Sequence, residues 1–180
     1  MRKIVLTYGL ISGAVLSLML LLQVHFFLDE IGFDKGMAIG YASMVLAFLL
    51  IYFGVRTYRD ELAGGRVTFW QAFKVGLLIM VIASACYVVT WELTFFFHNG
   101  EQFMEKYTAY ALEKARAAGA TEAQVAEKAK EMAAFNVQYR NPLVNAALTF
   151  LEPLPVGLLL TLVSAGLLSR RRRVEEALAT

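Results

Sequence analysis

The sequence predicts an all-α integral membrane protein: a four-helix bundle with an extracytoplasmic helical segment between spans three and four. Three observations predict it. Four apolar runs, Ile4–Leu28, Met37–Tyr58, Phe69–Phe97 and Leu143–Ser169, are each about 22 to 29 residues long, enough at about 1.5 Å per residue to cross roughly 30 Å of hydrocarbon. Basic residues crowd at alternate ends of these runs, and the last run stops at Arg170, Arg171, Arg172 and Arg173. The chain is 58% hydrophobic with a mean hydropathy of +0.56, against roughly 45–50% apolar content in soluble domains. Four such spans use more than half of the 180 residues, so residues 1–180 read as a single membrane domain.

The first span, about 4–28, follows Arg2 and Lys3, as the apolar core of a secretory leader would. A leader core is about 7–15 residues and ends at a small-residue cleavage site. Here the run continues to Phe26-Phe27-Leu28-Asp29-Glu30 without an Ala-x-Ala pattern, which predicts a retained span. Gly9, Gly13 and Ser17 form a small-residue stripe along it. Gly36, Gly40, Ser43 and Ala47 do the same around the second span, about 37–58, and Gly157, Thr161 and Ser164 in the fourth. Such stripes let helix backbones approach closely, so a compact bundle is expected, and a stripe left over is a candidate seam for a homo-oligomer.

Gly64-Gly65 after Arg59-Asp60-Glu61 marks a turn, and Thr68 with Gln71 three residues on forms a capping box that opens the third span, about 69–97. Trp70 and Phe73 beside Lys74 read as interfacial anchors. Lysine and arginine near span ends favour the cytoplasmic side. Arg2, Lys3, Arg56, Arg59, Arg66, Lys74 and the tail arginines place both termini and the second connection there. The first connection holds Asp29, Glu30 and Asp34 against Lys35 alone, so it is expected outside. The expected location is a bacterial inner (plasma) membrane, and the lipid bilayer is the first partner.

The third connection, His98–Arg140, is the only sizeable soluble piece, an outer helical insertion over about 99–140. It is rich in Ala, Glu and Lys, which favour helix. Gly119 followed by Thr121-Glu122-Ala123-Gln124 reads as a stop and a capped restart, predicting helices near Glu101–Ala117 and Thr121–Phe135. Phe103, Tyr107 and Tyr110 stripe the first helix; Met132, Phe135 and Tyr139 edge the second. The expectation is that these stripes pack on each other and on the outer membrane surface, with a groove for a protein partner as the alternative. No basic face interleaved with aromatics lies outside the membrane flanks, and the net charge is only +2, so nucleic acid is not an expected partner. The lone Cys86, inside the third run, has no intrachain disulfide partner.

Polar residues inside the spans are the candidate site. A central acid costs about 2.5–3.5 kcal/mol even on lenient insertion scales, and a tolerated one faces the protein interior. Glu92, five residues before Phe97, lies roughly 7–8 Å below the outer boundary, and Glu152, nine after Leu143, lies roughly 13 Å deep. Gln23 and His25 are near the outer end of span one, Tyr41 and Ser43 near that of span two. Asn145, Thr149 and Glu152, at spacings of four and three, share one face of the fourth span, about 143–169. Polar groups of all four spans thus converge in one leaflet. Pro153 and Pro155 lack N–H groups, so the carbonyls of Thr149 and Leu151 lose their helical donors and the span should break. Freed carbonyls beside a carboxylate suit a cation or proton site. The alternative is structural: a protonated glutamate hydrogen-bonding to a neighbouring span. A metal site of His25, His98 and Glu92 has no ligand spacing behind it. No nucleotide loop, nucleophile elbow, paired metal motif or haem signature occurs, so neither an enzyme nor a cofactor is expected.

Phe69-Trp70-Gln71-Ala72-Phe73-Lys74-Val75-Gly76-Leu77-Leu78-Ile79 and Tyr87-Val88-Val89-Thr90-Trp91-Glu92 resemble a bacterial membrane family known as domain of unknown function 4199. So do Tyr8-Gly9-Leu10-Ile11-Ser12-Gly13, Gly54-Val55-Arg56-Thr57-Tyr58-Arg59-Asp60, and Glu152-Pro153-Leu154-Pro155-Val156-Gly157-Leu158 with Ser164-Ala165. Asn141-Pro142 fits the family's Asn-Pro before its last span. The resemblance runs through essentially the whole chain and implies a small four-span inner-membrane protein with a variable outer segment. It carries no activity across. The expected function is a scaffold or accessory protein whose outer helices meet a partner. The rival is a small proton- or ion-coupled transporter using Glu92 and Glu152 with His25 nearby, and a membrane enzyme comes third.

Overall fold

The computed structural model describes the backbone of residues 1–178 and the side chains of 1–25, 32–98 and 100–169. The side chains of Arg170 to Arg173 and of Phe26 to Glu30, used above for charge and span exit, lie outside the described residues. Helix α1, Arg2–Leu22, runs through a π-helical turn, Gln23–Phe27, into α2, Leu28–Glu61. The axis of α2 breaks at Gly32, whose φ of 74° and ψ of 168° suit a residue without Cβ. Helix α3, Phe69–Thr94, passes through a second π-helical turn, Phe95–Asn99, into α4, Gly100–Ala117, followed by α5, Glu122–Tyr139. The fourth span is two pieces, α6, Pro142–Leu151, and α7, Leu154–Leu178. The proteins's four membrane-length apolar stretches are Arg2–His25, Gly32–Glu61, Phe69–His98 and Pro142–Ser169. The chain is therefore a multi-span membrane protein in contact with lipid.

Local chemistry accounts for the element ends. Thr68 Oγ1 accepts from Gln71 N at 3.3 Å while Gln71 Oε1 accepts from Thr68 N at 3.1 Å. Thr121 and Gln124 repeat this box at the start of α5. Asn141 caps α6, accepting from Leu143 N, with Pro142 at its first turn, where the missing N–H has no helical acceptor to lose. The break between α6 and α7 falls at Glu152 and Pro153, as the prolines demand. Helix α5 extends to Tyr139, four residues past the expected end, because nothing between Phe135 and Arg140 interrupts it.

The core lies where α1, α2, α3 and α7 meet, around Leu16, Phe48, Ile51, Val55, Val75 and Ile79. The small-residue stripes are its seams. A Cβ on Gly13 would stand 2.8 Å from Cys86 Sγ and 3.3 Å from the Ala83 Cα, so α1 and α3 touch backbone to backbone. Ser12 Oγ donates to the Ala47 carbonyl at 2.9 Å, joining α1 to α2. Gly157 admits Met80 and Phe48, and Thr161 meets Gly76, closing α7 onto α2 and α3.

Helices α4 and α5 form a cap over one end of the bundle, the end opposite Arg2, Lys3 and the Gly64-Gly65 turn. Its aromatic stripe behaves differently from the expectation. Phe103, Tyr107 and Tyr110 surround Phe33 of α2 at ring distances of 5.8, 5.5 and 5.0 Å, and Phe103 meets Trp91 of α3 edge-on at 5.0 Å. Tyr139 packs on Phe95 at 5.3 Å. The stripes thus grip the span ends, where aromatic pairing adds to the area they bury.

Candidate functional site

Between the cap and the bundle lies a cavity of about 370 Å³. Every helix but α7 contributes to its wall: Leu20 of α1, Gln23 and Val24 of the first π turn, Met37, Tyr41 and Met44 of α2, Tyr87 and Trp91 of α3, Phe103 and Tyr107 of α4, Phe135 and Tyr139 of α5, and Leu148 of α6. Glu152, at the end of α6, joins them. Tyr87 and Trp91 are one helical turn apart, so both point into it. The Tyr87 hydroxyl donates to Glu152 Oε2 at 2.9 Å across 65 residues of chain. Gln23 Nε2 donates to the Gly36 carbonyl at 2.8 Å, placing its amide on the wall and tying the first two spans together.

Beside the cavity a buried network joins three elements. Trp91 Nε1 donates to Asn145 Oδ1 at 2.9 Å and lies 3.0 Å from the Tyr139 hydroxyl. Asn145 Nδ2 donates to the Tyr139 carbonyl at 3.2 Å, and Thr149 Oγ1 donates to Asn145 Oδ1 at 3.2 Å. Asn145 and Thr149 are 0% and 1% exposed, so both serve this network. Burial pushes the Tyr139 hydroxyl above its ordinary range. On the far side of the cap, Tyr110 and Lys114 both donate to Asp34 Oδ1, at 2.5 and 2.6 Å.

The sequence-derived candidates are thus distributed over three places. Glu152 and Gln23 share the cavity wall; Asn145 and Thr149 sit in the adjacent network; Glu92 and His25 stand apart from the wall. Glu92 follows Trp91 by one residue, about 100° around the helix, and so leaves the cavity face. It is half-buried, and its Oε1 finds no hydrogen-bond partner among the described residues. His25 is exposed, with Nδ1 3.1 Å from the Leu21 carbonyl and its ring edge-on to His98 at 6.4 Å. Among the described residues no three His, Cys, Asp or Glu side chains are grouped to hold a metal. Pro153 and Pro155 mark the helix break beside Glu152.

Sequence reasoning missed Tyr87, Trp91 and Tyr139 as site residues. The first two carried a usable signal: two polar-tipped aromatics one turn apart inside an apolar span, where each tip needs a partner. The wall as a whole holds aromatic faces, a few hydrogen-bonding tips and a single carboxylate, an arrangement suited to binding. No curated protein and no solved structure matches the chain. One family model does, over residues 7–170, and the chain belongs to that family, described as protein of unknown function (DUF4199).

Proposed function

We propose that this is a non-enzymatic inner-membrane protein that holds a small ligand between its bundle and an extracytoplasmic cap, acting as a scaffold or accessory subunit. The observation that carries the reading is the cavity of about 370 Å³ closed by α4 and α5, within the usual size range of small-molecule sites. The Trp91–Tyr139–Asn145–Thr149 network supports it, because a cap pinned by buried hydrogen bonds keeps such a cavity built. The positive charges of Arg2, Lys3, Arg56 and Arg66 support cytoplasmic termini and an outward cap, where a partner subunit would meet it.

Native mass spectrometry of protein extracted from membranes tests this reading. A small adduct that survives detergent exchange is expected, and Leu148→Trp, which puts an indole into the cavity, should reduce it in a protein of unchanged helicity. An adduct undiminished in Leu148→Trp, or none in the parent protein, overturns the reading. The α6–α7 break beside Glu152 favours a second reading, proton- or ion-coupled transport. That reading predicts pH-dependent flux in liposomes which Glu152→Gln abolishes; the binding role predicts no flux from either protein.

A further inference from the structure

The cavity has a charge character and a doorway that together specify its occupant. Its wall contains one carboxylate, Glu152, and no lysine, arginine or histidine. Tyr87 occupies one carboxylate oxygen, and no described cation forms an ion pair with Glu152. The same wall carries the rings of Tyr41, Tyr87, Trp91 and Tyr107, with Tyr87 in contact with the acid. Carboxylate plus aromatic faces is the chemistry that recognises an alkylated ammonium, through Coulomb attraction and the negative faces of the rings. A bare inorganic cation would need several oxygen ligands converging on one point, whereas the aromatic faces of this wall suit a bulkier organic one.

The doorway is lateral. Helix α6 packs against α3, α5 and α7, whereas α2 packs against α1, α3 and α7, and no extensive seam joins α2 to α6. The wall residues at that gap, Met37, Tyr41 and Leu148, are 47%, 53% and 37% exposed although they line the cavity. Glu152 is accessible there too, with its Oε2 turned in to Tyr87. The gap lies within membrane-length helices, so it faces acyl chains. We infer that the cavity binds a monovalent organic cation with a compact apolar body, admitted from the bilayer between α2 and α6 and paired with Glu152. This assignment rests on the ligand-holding role proposed above and names the chemistry of that ligand.

The test uses Trp70→Phe protein in phosphatidylcholine nanodiscs, where Trp91 is the sole tryptophan and stands in the cavity wall. The probes are benzyltrimethylammonium, its neutral carbon isostere neopentylbenzene, and benzenesulfonate, each corrected for partition into empty nanodiscs. Benzyltrimethylammonium should change Trp91 emission saturably, with at least tenfold higher affinity than either other probe. Glu152→Gln should lower its affinity at least tenfold and leave neopentylbenzene unchanged, while Glu152→Asp, which restores the charge, should recover most of the preference. Met37→Phe, narrowing the gap, should slow binding several-fold in stopped flow. If neopentylbenzene saturates as tightly as the cation, or Glu152→Gln leaves cation binding intact, the cation assignment fails while the ligand-holding role stands. If no probe saturates, both fail. An unchanged rate in Met37→Phe overturns the lateral route.

Discussion

Replacing Asn145 by leucine should loosen the cap without unfolding the bundle, and the size of the effect follows from the network. Leucine keeps asparagine's branching with bulkier tips, so it leaves no cavity, and its overpacking adds to the hydrogen-bond loss. Three hydrogen bonds disappear: from Trp91 Nε1 at 2.9 Å, from Thr149 Oγ1 at 3.2 Å, and to the Tyr139 carbonyl at 3.2 Å. Trp91 keeps the Tyr139 hydroxyl at 3.0 Å, and Thr149 can turn back to the carbonyl one helical turn earlier. The Tyr139 carbonyl loses its side-chain donor. At about 0.6 kcal/mol per buried bond in a membrane protein, three losses total about 2 kcal/mol. Only the bond to the Tyr139 carbonyl reaches α5, so its share, about 0.6 kcal/mol, corresponds to roughly threefold more frequent opening of the cap. Hydrogen exchange by mass spectrometry in nanodiscs should show it across α5, with α1 unchanged. Thr149→Val, which removes a bond within α6, should leave exchange in α5 nearly unchanged. An Asn145→Leu effect under about twofold, or one equally large in α1, would refute the claim that these bonds fasten the cap.

Two further perturbations probe the seams and the far side of the cap. Gly13→Leu should destabilise the bundle by about 1–3 kcal/mol in reversible SDS unfolding, because the added side chain meets Cys86 and the Ala83 backbone. Gly166→Ala has nothing within 4 Å of its new Cβ and should be neutral or mildly stabilising; equal losses in both would mean the seams are misplaced. The hydrogen bond to Asp34 holds the Lys114 amine above its ordinary range. A raised folded value means the contact is complete below the free lysine value, near 10.4, and is lost only as pH rises through the higher folded one. Acylation of Lys114, followed by mass spectrometry, should therefore rise later with pH than in Asp34→Asn. Identical profiles would remove the contact from solution.

Much of the fold was legible because it rests on local rules. Thr68 and Gln71 satisfy each other within four residues, Pro153 and Pro155 break the fourth span by removing donors, and Gly119 closes α4 through backbone geometry alone. The small-residue stripes declared their seams, although which helix each would meet was not written in them. The candidate site was legible only in part. Depth along a span follows from counting residues, and it placed Gln23 and Glu152 in the same half of the bundle. Direction around the axis needs the neighbours, and Glu92 shows the difference: at a depth that suggested convergence, it stands one residue, about 100°, off the face that Tyr87 and Trp91 present to the cavity.

What the sequence determined by itself, then, is a chain that must bury four apolar helices in lipid, with helix caps, breaks and a pair of amphipathic helices between the third and fourth. These follow from residue-by-residue hydration and backbone chemistry, which need no partner to be read. Only the tertiary structure decided that Phe33 and Trp91 would receive the aromatic stripe, that Tyr87 would reach Glu152 across 65 residues, and that no extensive seam would join α2 to α6. Such pairings depend on how each helix is rotated and where its neighbours stand, and that is set by the simultaneous packing of all the seams, beyond what any single stretch of residues encodes.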